Sequence, residues 1–515
     1  MFGKVMLLLP AVIFVTSATA QSIYEETVQT RNLDPNWIDT SMEEYQAQIS
    51  MYEPFRARVV IDCTDADPEM VILMEEGLSD SIGLPLLQQW IADIQSEKYT
   101  AELVEISYAA PEEIKAFLDS LYDLGLEGTA LVGNLPAAWV AVWDTQISMG
   151  EQLPCDYFFM DLDGEWLDLW IGYPKDSLSG QDGFYDTFQG ELDPEIWSGR
   201  IRVDNLDDLG DPVEMLQSYL ARNHEWRVNG DPEPVKALCY VDDDWQTAGG
   251  IYQTAMQLLY ENVELVDSSA QTCAQDYEEI RLPDTYSWIS PHVHSNPLTH
   301  FWQPSAGTTR WDEIVPIAPP AHFYNLFACS NCRFTTAKYM GGVYSFASES
   351  GLAAVGSTTS GAMLWFIHFY GPLGGEASLG EAFELWWDYI ANNGLSQPEL
   401  NWHIGMVLLG DPSLVPSMHL TGIKEPDPAH SPLQVVVVPN PSTGSRVSVY
   451  FTMPETGNAT LEVFNLSGRL VTEQAVPNCT SGMNEHEFAD IQTGIYFVRM
   501  TEGGFTATRR FVVIE

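Results

Sequence analysis

Basic residues are scarce in this 515-residue chain. Only 22 Lys and Arg stand against 73 Asp and Glu, which gives a formal net charge of −51. The negative charge is spread along most of the chain instead of being confined to one tail. An electrostatic field of this sign repels nucleic acids and anionic membranes. Both are therefore excluded as main partners.

Long apolar runs are missing after the first twenty residues. A membrane-spanning helix needs roughly eighteen or more apolar residues in succession, and no later segment has them. The chain begins with a basic Lys4, an apolar run over residues 5–15, and the small residues Ala18 and Ala20. This order predicts a secretory signal peptide at residues 1–20. We therefore expect an exported protein with no transmembrane segment.

Cysteine is also sparse, and its number is odd. The seven positions are Cys63, Cys155, Cys239, Cys273, Cys329, Cys332 and Cys479. Seven cysteines in so long a chain do not make a dense disulfide framework, and at least one thiol must remain unpaired. An unpaired thiol in an exported protein calls for a chemical explanation.

The composition that remains is that of a globular protein. With 45% hydrophobic residues and 12% aromatic residues, the chain can bury a sizeable core and build two or three domains. Residues 21–55 are polar and acidic without a clear period, which indicates an N-terminal arm or a pro-segment.

From residue 56 onward, strand-like and helix-like patterns alternate. Strands are predicted at residues 57–61, 101–106 and 128–133, and amphipathic helices at residues 84–94 and 111–124. This alternation predicts an α/β domain with a mostly parallel sheet and flanking helices, extending over residues 56–416. Gly133 lacks the spaced glycines of a dinucleotide fingerprint, so no nucleotide cofactor is expected.

A change of pattern near residue 417 marks a second domain. Residues 417–433 are rich in Pro and mixed in charge, which is typical of a linker. From residue 434 the hydrophobic period becomes two, with turn signals between short segments. Residues 434–515 are therefore predicted to form a small, all-β, Ig-like sandwich.

Two predicted strands end in reactive side chains. One apolar run leads into residues 290–295, which contain His292 and His294, and another leads into residues 322–332, which contain Cys329 and Cys332. Nucleophiles and ligands collect beyond the carboxyl ends of parallel strands. We therefore expect the imidazole of His294 to lie beside the thiol of Cys329.

Several chemistries are open to these side chains. A thiol with a neighbouring imidazole suits nucleophilic catalysis, with Cys329 as nucleophile, His294 as base and Glu195 as a carboxylate that orients the imidazole. Cys329 and Cys332 would also suit a redox pair. Together with His292 and His294 they would suit a structural zinc site. The simplest alternative is a buried and inert cysteine.

A separate acidic segment offers cation ligands. Asp161, Asp163 and Glu165 alternate as the ligands of a calcium loop do, although the downstream spacing of an EF-hand is absent. Structural calcium is therefore an expectation, and no cofactor is expected to be required. A second acidic strand end follows at residues 242–244.

In residues 56–416 the chain resembles the gingipain family of secreted cysteine peptidases, which have a caspase-like fold. The resemblance depends on the shared order of Leu131-Val-Gly133-Asn134 with Pro136, Asp161-Leu-Asp-Gly164, Pro194-Glu195-Ile-Trp-Ser-Gly199-Arg200-Ile201, the spacing from His294 to Cys329, Phe327-Ala-Cys329-Ser-Asn331, and Gly410-Asp411-Pro412-Ser413-Leu414.

The resemblance implies specific roles. Cys329 would be the nucleophile, His294 the general acid/base and Glu195 its carboxylate partner, while the backbone N–H groups of Ser295 and Cys329 would bind the oxyanion. The family usually has Gly-His-Gly where this chain has Val293-His294-Ser295.

The C-terminal region resembles the sorting domain of the type IX secretion system. The matching segments are Pro439-Asn-Pro-Ser-Thr-Gly444, Val463-Phe-Asn-Leu-Ser-Gly468-Arg469 and Thr493-Gly-Ile-Tyr-Phe-Val-Arg499. This resemblance implies export across the outer membrane, with the type IX secretion machinery as a partner and a secreted or cell-surface location.

Two functions are compatible with these observations. The first is a secreted cysteine endopeptidase that hydrolyses protein or peptide substrates through a Cys-His thioester mechanism. The second is a catalytically inactive, peptidase-like surface binding protein exported by the same route.

Overall fold

A computed structural model describes most of the α/β region and of the C-terminal region. The described residues are Met42 and residues 55–63, 66–107, 110–144, 149–170, 179–231, 235–303, 305–392, 397–418, 435–437, 442–443, 446–453, 456–465, 469–480, 482–489, 491–502 and 505–514. The predicted signal peptide, almost all of the predicted arm and most of the predicted linker lie outside the described residues.

The strands of the α/β region come first along the chain. They are β1 Arg56–Ile61, β2 Met70–Glu75, β3 Ala101–Ser107, β4 Gly128–Val132, β5 Ala138–Asp144, β6 Met149–Cys155, β7 Glu165–Leu167, β8 Thr187–Gln189, β9 Trp197–Ile201, β10 Ala237–Val241, β11 Val263–Val266, β12 Trp288–His292, β13 His294–Asn296, β14 Thr299–Phe301, β15 Thr308–Arg310, β16 Phe323–Asn325, β17 Ala353–Ser357 and β18 Met406–Gly410.

Helices connect these strands. The α-helices are α1 Leu78–Ile82, α2 Leu84–Glu97, α3 Pro111–Tyr122, α4 Pro212–Asn229, α5 Gly249–Met256, α6 Ala274–Asp276, α7 Trp311–Ile317, α8 Met340–Gly342, α9 Ile367–Gly374, α10 Leu379–Asn392 and α11 Gln397–His403. Short 3₁₀ turns occupy Asp156–Phe159, Asp204–Leu209 and Asp243–Ala248, and π-helical turns occupy Tyr277–Arg281 and Val343–Ala347.

Eleven strands build one central sheet in the order β1-β3-β2-β4-β9-β18-β17-β16-β12-β10-β11. Neighbours from β3 to β18 run parallel, and so do neighbours from β17 to β11. The two parallel halves meet in the antiparallel pair β17 and β18. The predicted mixture of helices and a mostly parallel sheet is confirmed.

The prediction that residues 57–61 form the first strand of the parallel part of the sheet is wrong. β1 pairs antiparallel with β3 at the edge of the sheet, and most of its residues are exposed. The strand that opens the parallel unit is β2, whose first five residues are buried. An apolar run of this kind fits a strand covered on both faces, whereas the mixed polarity of β1 fits an edge.

The core of the α/β region surrounds the central strands. Every residue of β4, β9, β10, β12, β17 and β18 is buried. Helices cover both faces of such a sheet because parallel strands leave no face to solvent. Helix α10 buries Phe383, Trp386 and Trp387, so its aromatic side chains belong to the core.

One buried carboxylate joins the end of β18 to two helices. Asp411 is fully buried and accepts hydrogen bonds from Trp90 Nε1 on α2 at 2.7 Å and from Arg227 Nη2 on α4 at 2.9 Å. Although burial opposes ionisation, the guanidinium of Arg227 and the hydroxyl of Ser413 hold the pKa of Asp411 below its ordinary value. The Gly410-Asp411-Pro412-Ser413 segment therefore has a structural task.

The C-terminal strands form two sheets around a core of their own. The strands are β19 Val435–Val437, β20 Ser442–Thr443, β21 Val447–Met453, β22 Gly457–Asn465, β23 Leu470–Cys479, β24 Gly482–Phe488, β25 Gly494–Glu502 and β26 Phe505–Ile514. The sheet orders are β19-β21-β24 and β20-β26-β25-β22-β23. Phe451 and Phe511 lie in the shared core. The period of two is confirmed, but β24 was not predicted.

Candidate active site

His294 and Cys329 lie on adjoining segments beyond β12 and β16, which are parallel neighbours. The backbone N–H of Val293 donates to the carbonyl of Phe327 at 3.0 Å. The hydroxyl of Ser295 donates to the carbonyl of Cys329 at 2.8 Å. Since the residues before and after His294 are both hydrogen-bonded to the cysteine segment, the segment that carries His294 lies beside the segment that carries Cys329.

The carboxylate bound to His294 is Asp244. Its Oδ2 lies 2.8 Å from Nε2 of His294. Asp244 belongs to the 3₁₀ turn that follows β10, and β10 is the parallel neighbour of β12. Because a carboxylate only accepts hydrogen bonds, Nε2 carries the proton. Nδ1 is therefore the ring nitrogen that can accept another proton.

Trp245 packs against this pair. Its ring centroid lies 4.4 Å from that of His294 and 5.7 Å from that of Phe327. His294 is only 2% exposed. The tryptophan therefore shields the imidazole from water, and the hydrogen bond to Asp244 lies partly out of solvent.

Glu195 lies in a different group. Its carboxylate accepts from the backbone N–H of Leu162 at 2.5 Å and from that of Asp163 at 3.4 Å. Burial raises the pKa of Glu195 to about 7, and the charges of Asp163 and Asp161 add to the shift. The carboxylate at Nε2 of His294 is thus Asp244, and the expected pairing of His294 with Glu195 is not the one that forms.

Three carboxylates converge near Glu195. One oxygen from each of Asp161, Asp163 and Glu195 lies within 4.8 Å of the others. Glu165, expected as the third member, has an exposed side chain on β7 and is outside this group. Strand alternation points its side chain away, whereas the turn at residues 161–164 brings Asp161 and Asp163 towards Glu195.

Lys115 provides positive charge next to these carboxylates. Its Nζ donates to the carbonyl of Gly164 at 3.4 Å. Burial lowers the pKa of Lys115, while the charges of Asp161 and Glu195 act in the opposite direction. The ammonium group therefore balances part of the negative charge of the group.

The zinc arrangement is not present among the described residues. The groups of possible metal ligands there do not unite any three of His292, His294, Cys329 and Cys332. His292 packs against the rings of Tyr252 and Phe327, and burial lowers its pKa to about 3. Burial raises the pKa of the Cys332 thiol. Cys332 is thus a core residue, and neither Cys332 nor Cys329 forms a disulfide.

A sharp turn presents Cys329. Ser330 has a φ of 58°, in the left-handed region. Its N–H donates to the carbonyl of Thr359 at 2.8 Å, and the N–H of Cys332 donates to the carbonyl of Ser357 at 3.0 Å. These bonds offset the cost of the unusual backbone conformation. The end of β17 and the residues directly after it therefore support the cysteine turn from below.

Sequence reasoning did not connect Asp244 and Trp245 with His294. The run Asp242-Asp-Asp244 after a buried strand was the available signal for Asp244. The strand order, in which β10 adjoins β12, is what turns that signal into a partner for His294.

Comparison with known proteins separates the two regions. No curated protein is significantly similar to the chain. Dimeric latent PorU from Porphyromonas gingivalis aligns with 87% of this chain and 43% of its own length, at 11% identity and a TM-score of 0.29. The soluble domain of PmoD from Methylocystis sp. ATCC 49242 aligns with 16% of this chain and 90% of its own length, at 13% identity and a TM-score of 0.13. These likenesses are too weak to support any conclusion about the α/β region.

The C-terminal region gives a definite result. Residues 436–514 match the family described as secretion system C-terminal sorting domain. Within the described residues, none of the helices combines the length and the apolar character needed to cross a bilayer. The protein therefore carries a type IX secretion system sorting domain at residues 436–514, which directs it through that machinery to secretion or to cell-surface attachment.

Proposed function

We propose that residues 56–416 form a secreted cysteine endopeptidase with a caspase-like fold. The observation that supports it is the arrangement of Cys329 and His294 on adjoining segments, with Asp244 on the far nitrogen of the imidazole. A nucleophile, a base and a group that orients the base are the elements that covalent acyl transfer requires. In this proposal Asp244 takes the orienting role that the family resemblance assigned to Glu195.

The reaction proceeds in two halves. Nδ1 of His294 takes the proton of the Cys329 thiol, and the thiolate attacks the scissile carbonyl carbon. His294 gives the proton to the amine nitrogen as the C–N bond breaks, which leaves a thioester on Cys329. Water then loses a proton to His294 and attacks the thioester carbonyl. The C–S bond breaks, and Cys329 regains its proton from His294.

The oxyanion is bound by the backbone N–H groups of Ser295 and Cys329 in this proposal. The hydrogen bond from the Ser295 hydroxyl to the Cys329 carbonyl fixes the two backbone segments relative to each other. Fixed donors stabilise the charge that develops in the transition state without reorganising. Ser295 supplies the same N–H as a glycine would, so the altered motif retains the donor.

Calcium at Asp161, Asp163 and Glu195 is a further part of the proposal. Carboxylate oxygens are the ligands that calcium prefers, and the convergence of the three groups supports it. Bound calcium would stabilise the turn at residues 161–164, with no part in the chemistry at Cys329. Calcium titration should raise the melting temperature of the wild-type protein, and Glu195→Gln should abolish that rise.

One observation favours the inactive binding protein as a second candidate. Cys329 is only 5% exposed and His294 only 2%. A peptide must reach the sulfur between side chains that nearly cover it, so a scaffold that no longer turns over substrate would have the same appearance.

A peptidyl acyloxymethyl ketone, which alkylates only a catalytically competent thiol, distinguishes the two candidates. The full-length protein should be labelled at Cys329, as located by peptide mass spectrometry. Cys329→Ala should abolish labelling, and the matched control Cys332→Ala should retain it. Labelling that persists in Cys329→Ala contradicts the assignment of the nucleophile. Absence of labelling and of turnover on a broad peptide library, with calcium and reductant present, favours the binding protein.

A further inference from the structure

We infer that the site cleaves after glycine or alanine, and that Trp245 and Trp402 impose this preference. The inference rests on the proposed peptidase function and adds the chemical class of its substrate. It concerns the P1 residue, whose carbonyl carbon the sulfur attacks.

A cavity next to the nucleophile carries the argument. It is lined by Trp245, Val293, Phe327, Ala328, Cys329, Ala362 and Trp402. Its volume is about 10 Å³, which is roughly the space taken by one water molecule. A methyl group is of similar size, whereas the side chain of Leu, Phe, Lys or Arg is several times larger.

Chemistry places the P1 side chain in this cavity. The Cα of P1 is bonded to the attacked carbonyl carbon, so its side chain lies within a few bond lengths of the sulfur. The cavity is bounded by Cys329 itself and by Val293, the residue before His294. It therefore adjoins both the nucleophile and the segment that carries the imidazole.

The walls of the cavity are held firmly. Trp245 is 3% exposed and packs against the rings of His294 and Phe327. Trp402, on α11, donates its Nε1–H to the carbonyl of Ala362 at 2.8 Å. Each tryptophan would have to give up these contacts to admit a larger side chain. The volume available to P1 is therefore fixed by the fold.

The apolar lining of the cavity also favours Gly or Ala at P1 over a charged residue. The side chains that line the cavity are apolar apart from the cysteine thiol and two indole groups, and no carboxylate is among them. The nearby carboxylate of Asp244 is engaged by His294. A Lys or Arg at P1 would be buried without a counter-ion, which is costly. The strongly negative charge of the whole chain therefore does not translate into a preference for basic P1 residues.

Acyloxymethyl ketone probes that differ only at P1 test this inference on the full-length protein. Rates of labelling at Cys329 are compared for Gly, Ala, Leu, Phe and Lys. A pocket too small by a few methylene groups discriminates by about 10- to 200-fold. We expect Gly and Ala probes to react at least about 10-fold faster than the other three.

Two variants change the cavity in opposite directions. Trp402→Leu enlarges it, and the rate with the Leu probe should rise about 10-fold relative to the Gly probe. Ala362→Val narrows it, and the rate with the Ala probe should fall about 10-fold while the Gly probe still reacts. Trp311→Leu, at the start of α7 and outside the cavity lining, is the matched control and should keep the wild-type preference. Ala362→Val remains informative even if Trp402→Leu does not fold.

The outcomes distinguish failure of the P1 preference from failure of the peptidase function. Labelling of Cys329 that is equal across the probes, or fastest with Lys, overturns the inference and leaves the peptidase standing. Failure of every probe to label Cys329, while iodoacetamide still alkylates it, overturns the peptidase and the inference together.

Discussion

Replacing Asp411 with alanine should destabilise the α/β region by about 4 kcal/mol. Asp411 is fully buried and pairs with Arg227, whose side chain is only 2% exposed and also pairs with Glu97. Breaking a buried ion pair by removing one partner costs about 3–5 kcal/mol. Trp90 Nε1 and Asn223 Nδ2 would also lose an acceptor, and each unsatisfied buried donor costs about 1–3 kcal/mol. These costs are not additive, and Glu97 remains a partner of Arg227, so we expect a loss of about 4 kcal/mol, just below the sum of the lower limits.

Urea unfolding followed by tryptophan fluorescence measures the free energy of unfolding of the α/β region. All 16 Trp residues precede residue 403, so the sorting domain contributes no signal. Asp312→Ala is the matched control, because Asp312 pairs with Arg310 where both side chains are about half exposed, at 50% and 47%. A pair of that kind contributes less than about 1 kcal/mol.

The pH dependence has a defined sign. The pKa of Asp411 is lowered in the folded state, so its stabilisation is present above the unfolded value of about 3.9 and is lost as the pH falls through the folded value. The difference between wild type and Asp411→Ala should therefore shrink in strong acid. A difference below about 1 kcal/mol at neutral pH would refute the account of Asp411 as a buried ionic joint.

Three further results are expected. Asp244→Asn should slow probe labelling of Cys329 about 10- to 100-fold, since a charge-assisted hydrogen bond contributes about 1.5–3 kcal/mol. The control Asp312→Asn should keep the wild-type rate of labelling. An unchanged rate in Asp244→Asn would show that Asp244 is not part of the site. Burial raises the pKa of Glu384 to about 8, so stability should fall as the pH rises from about 5 through 8. In Glu384→Gln the urea midpoint of unfolding should depend less steeply on pH than in the wild type. Equal slopes of urea midpoint against pH in the two proteins would contradict this. A chain lacking residues 436–514 should accumulate in the periplasm in immunoblots of cell fractions, and its normal appearance at the surface would contradict the sorting role.

The sequence predicted those features that are encoded locally. The amphipathic α2 and α3 and the period-two strands of the sorting domain follow from hydrophobic spacing alone. The apolar run of β2 was an equally local indication of a buried strand, but the prediction placed the first parallel strand at β1. Two apolar segments close together in sequence do not reveal which one occupies the edge, because edge and centre are defined by neighbours that come later in the chain.

The site was predictable to the extent that it lies at the ends of two strands that are neighbours in the sheet. His294 and Cys329 could be paired because both follow apolar runs that were expected to be neighbours. Asp244 and Trp402 could not, because they join the site from β10 and α11, whose positions depend on how the chain crosses the sheet. Glu195 was assigned to the site by resemblance. It lies instead in the carboxylate group near Asp161, and its position too depends on how the chain crosses the sheet.

The position of β18 has a consequence for how the molecule is made. β18 lies between β9 and β17 in the middle of the sheet, yet it is the last strand of the α/β region along the chain. Until residue 410 has emerged during synthesis, β9 and β17 each keep an open hydrogen-bonding edge and an uncovered apolar surface. The emerging polypeptide therefore cannot complete its central sheet before residue 410 is available to pair with both strands.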